Sequence, residues 1–442
     1  MVKTPEPKIK KMSEPKIPSL LRGFKDILPA DQPYWEFIRE VAESFYRGYG
    51  FTRIDLPIVE EAGLFIRSIG KQTDIVEKEM FSFVDQSEGT LVLRPEATAS
   101  IARAYLNHGM VNLPQPVKLF YWGPMFRRER PQSGRQRQFH QFGFEILGDQ
   151  NPVIDAQIIA VVSNFFTQIG LEQVSIQVNS IGCPTCRKAY TQELTTFYRS
   201  KRRMLCEDCK KRLTKNPLRL LDCKNPQCQV VRSEAPQIVD WLDEDCKNHF
   251  MKVVNYLDEL NISYKLNPYL VRGLDYYTRT VFEVWPKEVK EGAQSALGGG
   301  GRYDGLIELL GGRPTPAAGV AVGIERIITQ LRAQEVQIPN YTTPDVFLAQ
   351  IGDQAKVKAL TLYEQLRREQ VNVAENFAKD SLKFQLELAN KLKVRYALIL
   401  GQKEVMDGTI LIRDMESGVQ EVIDFNKTVQ ELKKKLASNN PA

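Results

Sequence analysis

The sequence predicts an α+β protein built of more than one domain. Strand-like runs come in groups, with helix-period segments segregated between them instead of alternating one for one. From Pro344 onward that style gives way to a short alternation of strands and helices, which reads as a small α/β domain. A length of 442 residues exceeds what one ordinary core organises. These observations divide the chain into a basic tail (1–18), a large α+β domain (19–332) with a cysteine-rich helical insertion (175–255), a polar linker (333–343) and a C-terminal domain (344–442).

Composition narrows the function classes. Apolar residues are 43% and charged residues 26%, near the globular average, so the bulk of the chain is expected to fold. No run approaches the ~18–20 apolar residues of a membrane span, and no apolar segment follows the charged N-terminus as a secretory signal requires. The expected setting is cytoplasmic, with no membrane partner. A net charge of +6 permits an anionic partner without demanding one. Only His108, His140 and His249 occur, which excludes a centre built on several histidines.

Residues 1–18 hold five lysines and four prolines without periodicity and read as a flexible tail. Asp31 is a plausible N-cap for a helix over 31–49, where Trp35, Ile38, Ala42, Phe45 and Tyr49 recur at helical spacing; Gly50 closes it. Strands are expected over 51–56, 80–84 and 90–93, a helix over 97–107 and a strand over 118–122. Residues 126–138 form a polar, arginine-dense loop, and 139–147 return as the second strand of an antiparallel hairpin. The cysteine island reads as mostly helical. Strands are expected again over 269–272 and 280–284, followed by the glycine run 298–301, a helix over 303–310 and the apolar segment 319–331. In the last domain strands fall at 346–350, 394–400 and 409–413, and helices at 354–369, 380–391 and 426–436.

Five segments could carry chemistry. In Phe126-Arg127-Arg128-Glu129-Arg130, strand alternation puts Arg127 and Glu129 on one face. A fixed arginine suits phosphate, a carboxylate can accept from an amino group, and Phe139 across the hairpin could stack on a base. A solvated charged hairpin is the competing account. Arg94-Pro95-Glu96-Ala97-Thr98 reads by itself as a helix start with acid in its first turn. Leu270–Arg279 sets Tyr276 and Tyr277 directly after Asp275 and near Arg272 and Arg279, a polar pocket or an ordinary core rim. Gly298–Gly301 could admit close approach of backbone to a ligand or be a mere flexible turn; its spacing fits neither a P-loop nor a dinucleotide fingerprint. Finally, Gly319–Arg326 runs from an apolar strand into a helix whose first turn holds Arg326. An arginine there opposes the helix dipole, which favours an external anion.

Taken together and in this order, these segments and Arg22-Gly23-Phe24-Lys25-Asp26 resemble the class II aminoacyl-tRNA synthetases, and within them the histidyl-tRNA synthetases, over about residues 20–435. The resemblance implies an antiparallel sheet flanked by helices, a helical insertion and a C-terminal α/β anticodon-binding domain. It implies a reaction in which histidine and ATP with Mg²⁺ form an adenylate, whose acyl group passes to the 3′ end of tRNA(His). It assigns Arg127 and Arg326 to the ATP phosphates, Glu129 to the adenine amino group, Phe139 to the adenine face and Arg272 to the α-phosphate. Glu96, Thr98 and Gln141 would take the α-ammonium of L-histidine, Glu145 and Tyr277 the imidazole, and Tyr276 and Tyr303 the pocket wall. Gln132 and Arg135 would meet the tRNA acceptor end. The helix and strand over 35–58 would lie at a homodimer interface, which would also account for their apolar stripe.

All seven cysteines fall between Cys183 and Cys246, and without a signal peptide such clustering favours metal ligands over disulfides. The spacing C-x2-C-x19-C-x2-C of Cys183, Cys186, Cys206 and Cys209 mimics a four-cysteine zinc site. One helix over 187–203 would hold those pairs about 25 Å apart. Cys206, Cys209, Cys223 and Cys228 can converge instead, because Asn216-Pro217 breaks the chain between them. Cys183 and Cys186 would then meet Cys246, with Asp243 as a fourth ligand; reduced thiols without metal are the bland alternative. Arg199–Arg219 carries nine basic and two acidic residues, a solvated face or a tRNA contact. The competing function is a catalytically inactive paralogue, the histidine-sensing regulatory subunit of ATP phosphoribosyltransferase, whose family lacks the C-terminal domain and usually the intact arginine motifs. A zinc-containing RNA-binding protein is a second alternative, disfavoured by the complete ATP-contacting set.

Overall fold

The computed structural model describes residues 17–70, 73–86, 89–129, 134–287, 296–339 and 343–438. The tail expected over 1–18 lies outside them except for residues 17–18, and so does Gln132. The chain divides between Ile338 and Pro339 into two compact units.

The first unit opens with α1 (Gln32–Gly48). Trp35, Ile38 and Ala42 are buried in the unit's own core, so the apolar stripe needs no second subunit to cover it. Asp31 makes no capping bond; it accepts from Arg332 at 2.5 Å. The strand expected over 51–56 keeps ladder pairing only in β1 (Thr52–Arg53). Beyond it, the carbonyls of Leu56 and Pro57 turn to the buried guanidinium of Arg94, at 2.8 and 3.3 Å. Next come β2 (Val59–Glu61), α2 (Ala62–Ile69), β3 (Phe81–Val84) and β4 (Thr90–Leu93), whose strands form a small sheet in the order β2-β4-β3. Then follow α3 (Thr98–Asn107) and the antiparallel hairpin β5 (Val117–Phe126) and β6 (Gln138–Leu147).

Helix α4 (Pro152–Gln168) has no counterpart in the sequence reading. Ten of its 17 residues are buried, so apolar side chains run nearly all round it and no stripe stands out. The cysteine-rich stretch starts as a strand, β7 (Val174–Ser180), and only then turns helical in α5 (Pro184–Ser200), α6 (Glu207–Lys215), α7 (Pro226–Ser233) and α8 (Glu244–Glu259). After β8 (Tyr264–Leu266), residues 269–272 are not the expected strand. Asn267 closes a turn there, accepting from the backbone N–H groups of Tyr269 and Leu270 at 3.0 Å each. The unit ends with β9 (Thr278–Pro286), β10 (Gly298–Arg302), α9 (Leu306–Leu309), β11 (Ala317–Gly323) and α10 (Ile324–Ala333). The glycine run is therefore a strand, not a flexible turn.

Among the described residues the main sheet has the order β1-β5-β6-β11-β10-β9-β7-β8, antiparallel except for its outermost pairs β1·β5 and β7·β8. Alternation along β6 sends Phe142, Phe144 and Ile146 into the core shared with α1, α4 and α10. The same alternation turns Gln141, Gly143 and Glu145 to the opposite face. A buried charge cluster ties the layers together. Arg302 donates to Asp155 at 2.9 Å and to Asp304 at 3.0 Å, and Asp155 also meets His249 at 2.5 Å and the Thr280 hydroxyl at 3.0 Å.

The second unit contains β12 (Val346–Gln350), α11 (Asp353–Arg368), β13 (Val373–Glu375), α12 (Leu382–Lys391), β14 (Tyr396–Leu400), α13 (Gln402–Asp407), β15 (Thr409–Asp414), β16 (Gln420–Asp424) and α14 (Thr428–Ser438). Its sheet runs β13-β12-β14-β15-β16, parallel through β14 and antiparallel after it. Among the described residues no helix is long and apolar enough to cross a membrane.

Candidate active site

The face of the main sheet opposite α1 and α4 holds a cavity of about 660 Å³. Arg127, Arg135, Arg272 and Arg326 all line it, although up to 199 positions separate them in sequence. The hairpin supplies the first two. Arg127 leaves the end of β5 and donates Nε to the Pro95 carbonyl at 2.9 Å, with its guanidinium carbon 5.3 Å from the Phe139 ring centroid. Glu129 stands 4.0 Å from Arg127 and 2.9 Å from Arg135. Arg326, in the first turn of α10, donates to the carbonyls of Ala296 at 2.6 Å and Gly134 at 3.3 Å. Among the described residues it has no carboxylate within ion-pair distance. Burial, and then the like charges of Arg135 and Arg127, push its pKa below the ordinary value. An anion between these arginines would relieve that repulsion.

Arg272 reaches the cavity from the irregular segment after β8 and pairs with Glu283 of β9. Burial alone would lower its pKa; Tyr277 and Glu283 outweigh burial and hold it above the ordinary value. The guanidinium lies across Gly299, where a Cβ would come within 2.5 Å of Nη1. The glycine in β10 thus makes room for an arginine.

Glu96 both closes a helix start and faces the cavity. Its carboxylate accepts from the N–H groups of Thr98 at 2.7 Å and Ala99 at 2.9 Å, capping α3, while it also lines the cavity and accepts from Tyr276 at 3.3 Å. Burial raises its pKa. Thr98, Gln141, Tyr276 and Tyr277 line the same wall, as does Phe139. Glu145 and Tyr303, both expected from the sequence in the histidine pocket, are not among the cavity's lining residues. Each is 1% exposed: both lie on the cavity side of the sheet but one layer deeper, where Thr98 and Tyr276 cover them. Glu145 accepts from Thr98 at 2.8 Å and from Tyr303 at 2.5 Å, so Thr98 links it to the wall. Burial pushes the Glu145 carboxyl up to about 8, against the donors Tyr303 and Thr98 that lower it.

Buried polar atoms around this cavity that lack a hydrogen-bond partner among the described residues include Gln141 Oε1, Tyr121 OH, Arg232 Nε and Arg272 Nε. Leaving such groups unpaired is costly, so a polar ligand in this cavity would offset that cost. Tyr121, Glu283 and Trp285 were missed from sequence. The signal for Tyr121 is its strand partner: it pairs with Gly143, whose Cβ would sit 2.5 Å from the tyrosine ring. That signal needs the register to be read.

In the insertion, the Sγ atoms of Cys206, Cys209, Cys223 and Cys228 lie within 4.8 Å of one another. The ligand atoms of Cys183, Cys186, Asp243 and Cys246 converge to the same degree. Helix α5 separates Cys183 and Cys186 from the first group, as its length requires. The first group borders the cavity region, where Cys206 and Cys223 share a pocket with Arg127 and Arg219.

Comparison with known proteins follows this geometry. A family model described as "Histidyl-tRNA synthetase" matches residues 23–327, and one described as "Anticodon binding domain" matches residues 345–435. A histidine–tRNA ligase of Dehalococcoides mccartyi is 47% identical over 94% of this chain and 99% of its own length. One from Pelotomaculum thermopropionicum is 45% identical over 94% and 97%. The crystal structure of apo Staphylococcus aureus histidyl-tRNA synthetase superposes with a TM-score of 0.79 at 34% identity, covering 94% of this chain and all of that one. A Bacillus halodurans structure titled as an ATP phosphoribosyltransferase regulatory subunit/histidyl-tRNA synthetase shares the fold alone, with a TM-score of 0.63 at 21% identity.

Proposed function

The chain belongs to the histidyl-tRNA synthetase family and catalyses ATP-dependent activation of histidine and its transfer to tRNA(His), and we propose that the cavity described above does this through its arginines and its unpartnered polar atoms. The carboxylate of histidine attacks the α-phosphorus of ATP in line, and pyrophosphate leaves. Such a step needs alignment and charge stabilisation but no nucleophilic side chain. Arg127 and Arg326 hold phosphate oxygens, with Mg²⁺ arriving on the nucleotide. Glu129 takes the adenine amino group and Phe139 its face. Arg272 stabilises the charge that builds on the α-phosphate. Glu96, Thr98 and Gln141 bind the α-ammonium, and Tyr276 shapes the pocket. Tyr277 and Glu145 serve the two imidazole nitrogens, Glu145 from behind Thr98 with Tyr303 orienting it. Filling both nitrogens rejects apolar amino acids, which would leave buried polar groups unpaired.

The convergence of like-charged Arg127, Arg135 and Arg326 on one cavity supports this reading most strongly. Histidine-dependent exchange of pyrophosphate into ATP tests it: exchange is expected with the wild type and to be lost in R272A. Robust exchange in that variant overturns the role of Arg272.

We further infer a homodimer. Leu28, Ile58 and Val59, in the segments flanking α1 and β1, are exposed apolar side chains (57%, 43% and 41%) that a partner subunit would cover. Light scattering on the purified protein tests this. Arg135 is the described candidate for the tRNA acceptor end. Cys206, Cys209, Cys223 and Cys228 hold a structural Zn²⁺, a reading supported by four sulfurs within 4.8 Å of one another and by the Cys206 N–H donating to Cys228 Sγ at 3.2 Å.

A further inference from the structure

The second cysteine group is built differently from the first. Helix α5 begins at Cys183-Pro184-Thr185-Cys186, and α8 begins at Asp243-Glu244-Asp245-Cys246. Each helix start therefore offers two ligands three residues apart, and the two starts face each other. Cys183 Sγ lies 3.5 Å from Cys186 Sγ and 3.2 Å from Asp243 Oδ2. That sulfur separation is far from the ~2.05 Å of a disulfide. It is close to the edge of about 3.7 Å expected for a tetrahedron with Zn–S bonds of about 2.3 Å. Backbone donors already surround the sulfurs. Cys183 N–H donates to Cys246 Sγ at 3.3 Å, and Asp243 N–H to Cys186 Sγ at 3.1 Å. Donors of this kind stabilise thiolates that ligate a metal.

We propose that Cys183, Cys186, Asp243 and Cys246 hold a second Zn²⁺, and that this ion fixes the backbone carrying the histidine-pocket tyrosines. On binding, the thiols lose their protons to solvent and the carboxylate enters already ionised. The route to the pocket is short. Arg187 follows Cys186 directly and donates to the Tyr277 carbonyl at 2.7 Å. Just ahead of Cys183, Ile181 N–H donates to the Arg279 carbonyl at 2.7 Å, and Arg279 N–H returns to Gly182 at 2.9 Å. The segment 277–279 is thus clasped on both sides of Cys183 and Cys186. An ion joining the starts of α5 and α8 would hold that clasp rigid, with Arg187 as a positioning residue.

Metal content of the full-length, untagged protein decides the first half. Two equivalents of zinc per chain are expected in the wild type, and one in either C183S/C186S or C206S/C209S. Wild-type protein with one equivalent that survives in C183S/C186S overturns the second site, while leaving the Cys206 group standing. Should the double variants misfold, D243N preserves the helix cap, since asparagine also caps, but removes an ionic ligand. It should release one equivalent to a chromogenic chelator at a concentration that leaves the wild type loaded; equal release overturns the site. The second half rests on the pocket assignment and is read separately. In pyrophosphate exchange, chelator-treated D243N should show a several-fold higher KM for histidine and a KM for ATP changed less than two-fold. Unchanged or equally raised KM values overturn the positioning role.

Discussion

The Tyr303 hydroxyl donates to Glu145 Oε2 at 2.5 Å, linking β6 to the end of β10 behind the cavity wall. The pair is buried among other phenols and next to the carboxyl of Glu96, which raises the Glu145 pKa further. A carboxyl held near neutral pH beside Thr98 can accept a proton-sharing partner without carrying a full charge before the ligand arrives.

The sign of that shift gives a stability prediction. The unfolded glutamate titrates near ~4.3, whereas folded Glu145 titrates at about 8. A raised carboxyl stabilises the fold fully below the lower value and loses that contribution as pH rises through the higher one. Wild-type protein should therefore lose stability between those pH values for a reason that E145Q lacks. The Tm difference between E145Q and wild type should move in favour of the variant from pH 5 to pH 9. A difference constant across that range would remove Glu145 as the titrating group.

Gly319 of β11 gives a second prediction. A Cβ there would lie 1.6 Å from Glu145 Oε2, so the carboxyl occupies the space a side chain would need. G319A should displace Glu145 from Tyr303 and Thr98, raising KM for histidine by at least about ten-fold, the scale of one hydrogen bond of ~1.4 kcal/mol. Steady-state pyrophosphate exchange would show it, with KM for ATP as the internal control. An unchanged histidine KM would mean that Glu145 does not act in the pocket.

Much of this was legible in the residues. The basic hairpin is announced by its length and charge, and Arg326 by its place against the helix dipole. The break at Asn216-Pro217 tells which cysteines can meet. What sequence hid has two physical causes. Helix α4 is apolar on nearly every side, so it leaves no periodic signal. Tyr121 and Arg187 act through partners on other elements, Gly143 and Tyr277, and a contact across 22 or 90 positions has no local signature. The strand expected over 269–272 failed because Asn267 captures the backbone donors a ladder would use.

Arg326 should show opposite effects on stability and on activity. Its charge faces Arg135 and Arg127, and burial adds to the cost. R326A should leave Tm unchanged or raise it. It should increase KM for ATP by roughly ten- to a hundred-fold, the equivalent of ~1.5–3 kcal/mol for a hydrogen bond to a charged group. Raising the salt concentration should shrink the difference between variant and wild type. A variant that lost stability with ATP affinity intact would make Arg326 a structural residue.

Arg94 should behave in the reverse sense, as a scaffold residue whose loss reaches the cavity indirectly. It is 4% exposed, and it donates to the carbonyls of Leu56 at 2.8 Å and Pro124 at 2.9 Å. Among the described residues no carboxylate pairs with it, so its worth lies in satisfying backbone carbonyls where β1 leaves the ladder. Burial lowers its pKa, a measure of how poorly solvated the charge is. R94M keeps most of the stem but strands those carbonyls at ~1–3 kcal/mol each, and the relief of a buried charge offsets part of that. The expected net loss is about 2–4 kcal/mol, read as a lower urea midpoint at unchanged slope. The Arg94 carbonyl accepts from Phe126 N–H at 3.0 Å, and the next residue, Pro95, accepts from Arg127 Nε at 2.9 Å. Loosening this corner should therefore lower kcat for pyrophosphate exchange more than it raises KM for histidine. R94K, which restores one donor and the charge, should recover part of the stability and part of kcat together. Recovery of one without the other would separate the scaffold from the placement of Arg127.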